Sequence, residues 1–101
     1  MSRLDLHRHL TNVCNHVYFQ PGTNVQMVYP CIVYNLSGES RFFANDKAYL
    51  RARQYDVTII DKDPDSALTA TLESELPTIS LVTAMVTEGL NHFVYSIYDS
   101  L

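Results

Sequence analysis

The sequence predicts an α+β fold: a mostly antiparallel sheet with two helices packed on one face, in the order α-β-β-(β)-α-β-β. Three observations predict it. An amphipathic helical stretch opens the chain, segments rich in Val, Ile and Tyr follow, and a leucine stripe with helical spacing interrupts them. With 101 residues, the chain is long enough for one core, so residues 1–101 are predicted to form a single domain.

The first helix is predicted from apolar residues that recur on one helical face. These residues are Leu6, Leu10, Val13, Cys14 and Val17. Ser2, followed three residues later by Asp5, resembles a capping box with Asp in the Glu position. The helix is expected to run from Arg3 to Val17 and to end before the turn signal Gln20-Pro21-Gly22.

The next segment, Val25 to Leu36, has the composition of a strand. Pro30 cannot donate a ladder hydrogen bond, so this strand is expected to be an edge, or bulged or kinked at that point. Ser37 to Ser40 is predicted to be a turn, Arg41 to Phe43 a short strand, and Ala44 to Lys47 a second turn.

A long strand is predicted from Ala48 to Ile60. Alternate residues share one face of it, namely Tyr49, Arg51, Arg53, Tyr55, Val57 and Ile59. That face is polar at its beginning and apolar at its end. We therefore expect one half of the strand to cover a core and the other half to project beyond it.

The second half of the chain contains a helix and a hairpin. Leu68, Leu72 and Leu76 are four apart and are followed by Pro77, which predicts a helix ending there. Ile79 to Val86 is predicted to be a strand, Thr87 to Gly89 a turn, and Asn91 to Tyr98 the closing strand.

The stretch DKDPDS, residues 61–66, places Asp61, Asp63 and Asp65 at alternate positions, as in a calcium-binding EF-hand loop. However, Ser66 stands where that loop needs Gly, and Leu72 stands where it needs Glu. A helix start satisfies the pattern better, with Asp63 as N-cap and Pro64 at the first helical position. No metal site is predicted here.

Composition restricts the classes of function. The net charge of −4 argues against a protein that grips nucleic acid through its phosphates. Only 18% of residues are charged, less than the roughly 25% usual in soluble domains, so part of the exterior is expected to be buried against other subunits. Cys14 and Cys31 are expected to be buried free thiols. The sequence shows no signal peptide and no apolar run long enough to span a membrane, so we expect a protein made in the cytoplasm.

The basic residues are clustered. Arg41, Lys47, Arg51 and Arg53 lie within thirteen positions. On a strand edge such residues discourage aggregation, and they could instead form a patch complementary to an acidic neighbouring subunit.

No catalytic residue, cofactor or metal is predicted. His9 and His16 are seven apart on the predicted helix, about 10.5 Å along its axis, too far to share one ion directly. His7 points away from His9, and His92 begins a strand as a packed or hydrogen-bonded side chain. The chain has no Gly-x-Ser-x-Gly elbow, and its three scattered Gly residues form neither a phosphate-binding loop nor a Rossmann fingerprint. We therefore expect that the protein is not an enzyme.

Three segments together resemble the small tail-completion proteins, or tail terminators, of the neck of long-tailed bacteriophages. They are the YPCIVY strand (residues 29–34), the run Phe43 to Tyr49 that leads into Arg53 to Ser66, and LNHFVYSIY (residues 90–98). The resemblance covers nearly the whole chain. It implies a structural virion protein that forms a ring, commonly of six subunits, at the end of the tail tube.

Such a ring halts tube polymerisation and joins the tail tube protein to the head connector or stopper protein, while DNA passes through the lumen without specific binding. The expected location is the virion tail and neck, after assembly in the host cytoplasm. The subunit and partner interface is expected on the projecting segment, at Phe42, Phe43, Lys47, Tyr49, Arg51 and Arg53.

Other hypotheses stay open at this point. The same size and order of elements would suit a head-completion or adaptor protein of the neck, and Arg51-Ala52-Arg53 could instead touch DNA. A small dimeric α/β-barrel-like enzyme or ligand-binding domain is the alternative from another class. It would need a pocket with convergent polar groups that includes His92 or His16.

Overall fold

The computed structural model describes residues 2–44 and 47–100, and the side chains of residues 40–51, 99 and 100 lie outside that description. It confirms the α+β fold, with two helices and a five-stranded, mostly antiparallel sheet. The elements are α1 (Arg3–Thr11), β1 (Val17–Phe19), β2 (Cys31–Ala44), β3 (Lys47–Asp61), α2 (Ala67–Glu75), β4 (Ser80–Thr87) and β5 (Leu90–Ser100).

The strands lie in the order β1-β2-β3-β5-β4. β1 is parallel to β2, and the other neighbours are antiparallel. Alternate residues of the three inner strands form one buried face: Ile32, Tyr34, Tyr55, Val57, Ile59, Tyr95 and Ile97. Both helices pack on this face through Leu6, Leu10, Leu72 and Leu76. The opposite face is only partly covered, as is usual for an antiparallel sheet.

The first helix is shorter than predicted. The Ser2–Asp5 capping box is present, but the helix ends at Thr11 and Val17 belongs to β1. Cys14 and Val17 still contact the core from the loop and from the strand. The helical spacing of apolar residues continues to Val17 because the loop and the strand after the helix bury the same side of the chain.

A single strand, β2, replaces two predicted strands and the predicted turn between them. The Ser37–Ser40 turn is wrong: the ladder between β2 and β3 runs through it, with one irregularity between Leu36 and Gly38. The Ser37 hydroxyl donates to the carbonyl oxygen of Gln54 at 3.1 Å. The predicted start of this strand at Val25 is also wrong: β2 begins at Cys31, after Pro30, which avoids the missing ladder donor. Of the predicted 44–47 turn, residues 45 and 46 lie outside the described residues.

The assignment of Asp63 as a helix cap is also wrong. α2 begins three residues later than this cap implies, and the Ser66 side chain accepts a hydrogen bond from the Leu68 amide as its N-cap. Asp61 Oδ1 and Asp63 Oδ1 each accept the amide N–H two residues further on, at 3.1 and 2.9 Å. The aspartates thus fold DKDPDS into consecutive local turns, because Asx turns compete with helix formation.

The closing hairpin agrees with its prediction. Glu88 and Gly89 lie between β4 and β5 with φ of 54° and 76°. Two successive residues with positive φ are typical of a type I′ hairpin turn, where glycine is favoured. The Asn91 side chain donates to the carbonyl oxygens of Asp61 and Lys62, which ties this hairpin to the DKDPDS loop.

Candidate assembly surfaces

The β2–β3 hairpin continues well past the rest of the sheet. β5 pairs with β3 only from Ala52 onward, and the β1 register covers only Ile32–Tyr34 of β2. We call residues 37–44 of β2 and 47–51 of β3 the arm. Five residues of β3 lie beyond the pairing with β5, a distance of about 17 Å at the usual rise per residue. The molecule is accordingly elongated, at 50 × 29 × 23 Å.

The arm carries five of the six residues predicted to form the interface. Phe42 and Phe43 lie on its β2 side, and Lys47, Tyr49 and Arg51 lie on its β3 side. Their side chains lie outside the described ones, so only their places in the ladder are given. Phe42 faces Leu50 and Ala44 faces Lys47, with an irregularity at Tyr49.

Arg53, the sixth predicted residue, lies at the base of the arm with its side chain exposed. In the strand register it stands between Glu39 of β2 and Asp99 of β5. The predicted interface residues are therefore brought together along one ribbon and its base.

The base of β2 is anchored by a buried tyrosine. Tyr34 has no exposed surface, and its hydroxyl accepts a hydrogen bond from Arg3 Nη1 at 3.2 Å and bonds His7 Nδ1 at 2.7 Å. The ring packs on Phe19, with centroids 4.8 Å apart, and the Arg3 guanidinium lies 4.5 Å from the Phe19 ring centroid. Burial raises the pKa of the Tyr34 hydroxyl, which therefore stays protonated as a donor or acceptor.

The second surface is the outer edge of β4. All eight residues of this strand are exposed, on both faces of the sheet. The exposed fraction is 63% for Val82 and 69% for Val86, and about half for Leu81 and Met85. Leu81 pairs with the buried Tyr95, so it faces the helix side, yet the helices do not cover it. We call this strand the β4 edge.

The β4 edge was not among the predicted interface residues. Its sequence, SLVTAMVT, has no charged residue and no apolar-polar alternation, a pattern usual for strands covered on both faces. Such a strand at the border of a sheet is the signal of an interface. From sequence alone, its position in the strand order was unknown.

The chain is electrically polar along its length. The arm and its base, including Glu39 and Asp99 beside Arg53, have four basic and three acidic residues, whereas the rest of the chain has three basic and eight acidic residues. At the far end of β3, Asp63, Asp65 and Glu88 are exposed and Asp61 is half-buried, with Lys62 among them. These four carboxylates form what we call the acidic end.

The histidines lie in different surroundings. His9 Nδ1 lies 2.8 Å from Glu75 Oε1, which also accepts a bond from Asn12 and so joins α1 to α2. The hydrogen bond from His9 lowers the pKa of Glu75. His92 Nδ1 lies 3.1 Å from the Leu90 carbonyl oxygen, within its own strand.

Two of the open clefts among the described residues lie near histidines. The larger lies along α1 and is lined by Asp5, Arg8, His9 and Asn12. The other is lined by residues 13–16 together with Tyr29, Pro30 and Leu68, and includes His16. His92 lines neither of these clefts.

Both cysteines are buried and reduced. The Cys14 thiol donates to the Pro30 carbonyl oxygen at 3.4 Å. Burial, with a smaller effect from Cys14, raises the pKa of the Cys31 thiol to about 11. Cys31 is therefore a neutral, unreactive thiol at physiological pH.

No protein-family model matches the chain. No curated protein matches it in sequence either. Among the described residues, no three His, Cys, Asp or Glu side chains are close enough together to hold a metal ion. No described helix has both the length and the apolar character needed to cross a membrane.

Proposed function

We propose that this protein is a structural virion component of a long-tailed bacteriophage: a tail terminator whose copies form a ring on the end of the tail tube. The ring stops polymerisation of the tube and offers its other side to the head connector or stopper protein. The resemblance of residues 29–34, 43–49, 53–66 and 90–98 to this group supports the proposal. These segments supply the base of the arm, much of the arm and β3, and the closing strand.

The single observation that carries the proposal is the arm. A two-stranded ribbon with no third strand is marginally stable in water. This arm continues past the residues of β3 that pair with β5 and past the residues of β2 that pair with β1. The outer edges of both of its strands therefore extend beyond the sheet. A ribbon of this kind gains stability when a neighbouring subunit packs on it, which suits a protein that acts in an assembly.

The β4 edge supports the same proposal. Long, apolar, exposed edge strands promote aggregation, and monomeric proteins protect them with charges, prolines or covering loops. β4 has neither a charged residue nor a proline, and its side chains are exposed on both faces. Burial of this edge in a closed ring removes the hazard.

The overall charge supports passage of DNA through the ring. The net charge of −4 disfavours tight binding to phosphates, so DNA is expected to slide through the lumen without being held. The basic arm is then available for contacts with acidic protein surfaces.

The proposal is tested first with the purified chain. Size-exclusion chromatography with light scattering should show a ring, or a monomer that becomes a ring when tail tubes are added. Electron microscopy of tubes with the bound protein should show a collar at one end. A compact dimer that ignores tail tubes would contradict the proposal.

A deletion in the phage tests the role and separates it from the neighbouring one. Loss of a tail terminator should give tails of abnormal length that are not joined to capsids. Loss of a head-completion or adaptor protein should instead leave tails of normal length. The defect should then be found only in the DNA-filled heads. Normal, joined particles in the absence of the protein would reject both roles.

A further inference from the structure

We propose that the copies join by β-sheet extension, with the β4 edge of one copy pairing antiparallel with the outer edge of the arm, on β2, of the next copy. This inference rests on the proposed function, because it specifies the contact by which the ring closes. It identifies a second copy of the chain as the partner of both open edges.

The two edges match in length. A bulge at Val82 limits the regular part of the β4 ladder to residues 83–87. On β2, irregularities on either side limit the regular part of the arm ladder to residues 38–42. Each segment has five consecutive paired residues, with Met85 and Ser40 in the middle. Their outer backbone groups can therefore form one continuous short ladder.

The strand directions also match. β2 is antiparallel to β3, β3 to β5, and β5 to β4, so β4 runs opposite to β2 within the sheet. Copies that point the same way will place β4 antiparallel to the next copy's β2. This contact is head-to-tail. Met85 is level with Ile60 and Ser40 with Ala52, so neighbouring copies are offset by 60 − 52 = 8 residues along the strands, and the contact closes into a ring only with the strands inclined to the ring axis.

Charge favours the same arrangement. The β4 edge is itself uncharged and is followed directly by Glu88, part of the acidic end. With residues 83–87 against residues 38–42 of the next copy, the basic arm lies beside the acidic side of its neighbour rather than beside another arm. A symmetric β4–β4 dimer would instead leave both arms without partners.

The edge contact is tested with a matched pair of glutamate variants. Val86→Glu places a negative charge opposite Glu39 of the next copy in the proposed register, whereas Leu4→Glu alters a side chain of similar exposure on α1, at 69% and 63% respectively. Val86→Glu should weaken self-association at least about tenfold, or about 1.4 kcal/mol, with an unchanged circular dichroism spectrum. Leu4→Glu should associate like the wild type. Equal association of all three proteins overturns the inference.

Disulfide trapping tests which strands meet. Met85→Cys and Ser40→Cys proteins are mixed and oxidised, with the native cysteines buried and slow to react. Cross-linking in the mixture, with neither variant linking to itself, supports the head-to-tail contact. Self-linking of Met85→Cys shows a symmetric β4 dimer and overturns it, as does an absence of any link.

The outcomes separate the two proposals. A ring that survives Val86→Glu and gives no Met85–Ser40 link rejects the edge contact and leaves the terminator role intact. A wild-type chain that stays monomeric at millimolar concentration and also ignores tail tubes rejects both.

Discussion

At the residue scale, Tyr34 is a buried side chain that links α1 to the base of β2. It is fully buried, its ring contacts Phe19 and lies 6.4 Å from the Tyr55 ring, and its hydroxyl is bonded by Arg3 and His7. One residue thus joins α1 to β2 at the point where the strand leaves the core for the arm.

We predict that Tyr34→Phe lowers the free energy of unfolding by about 1 kcal/mol, because the hydroxyl's hydrogen bonds are lost while the ring packing remains. Tyr34→Ala should cost roughly 3–5 kcal/mol, because it also leaves a cavity. Urea unfolding followed by circular dichroism measures both values. Tyr98→Phe is the control, since Tyr98 is 56% exposed and should change stability little. A Tyr34→Phe protein as stable as the wild type would show that the hydroxyl contacts are energetically neutral.

At the element scale, the composition of the chain predicted which kinds of element occur, but several boundaries depend on tertiary contacts. The apolar residues from Leu6 to Val17 looked like one helix because a helix, a loop and a strand bury the same side of the chain in succession. The Ser37–Ser40 segment looked like a turn because Gly and Ser are turn formers, yet the partner strand β3 holds it in the ladder. The β4 edge could not be recognised because the strand order is not readable from local pattern.

The start of α2 gives the element-scale prediction. Ser66→Ala should lower the free energy of unfolding by about 1 kcal/mol, because the Leu68 amide loses its cap acceptor. Asp63→Ala removes only a local turn acceptor outside the helix, so its cost should be a few tenths of a kcal/mol. Chemical denaturation of both variants checks the order. A larger loss for Asp63→Ala would restore that residue as the energetically important cap.

At the scale of the whole molecule, the net charge differs between the two ends of β3. The arm and its base have four basic and three acidic residues, and the acidic end lies at the other end of β3. Partial neutralisation of the arm by a neighbour's acidic side should assist assembly, whereas β4 pairing supplies the apolar contact. Assembly is therefore expected to depend on both salt and edge burial.

We predict that Arg53→Glu weakens self-association by roughly two- to fivefold at low salt, the effect expected of exposed charge pairs. Lys62→Glu makes the same change in net charge at the acidic end, so it should leave association unchanged or strengthen it. Raising the ionic strength to about 1 M shortens the screening length to about 3 Å and should abolish the difference between the two variants. Light scattering across a concentration series measures this. The two substitutions change the net charge equally, so only an effect of position can make their outcomes differ. Equal weakening by both variants would show that net charge, and not the position of the basic arm, governs assembly.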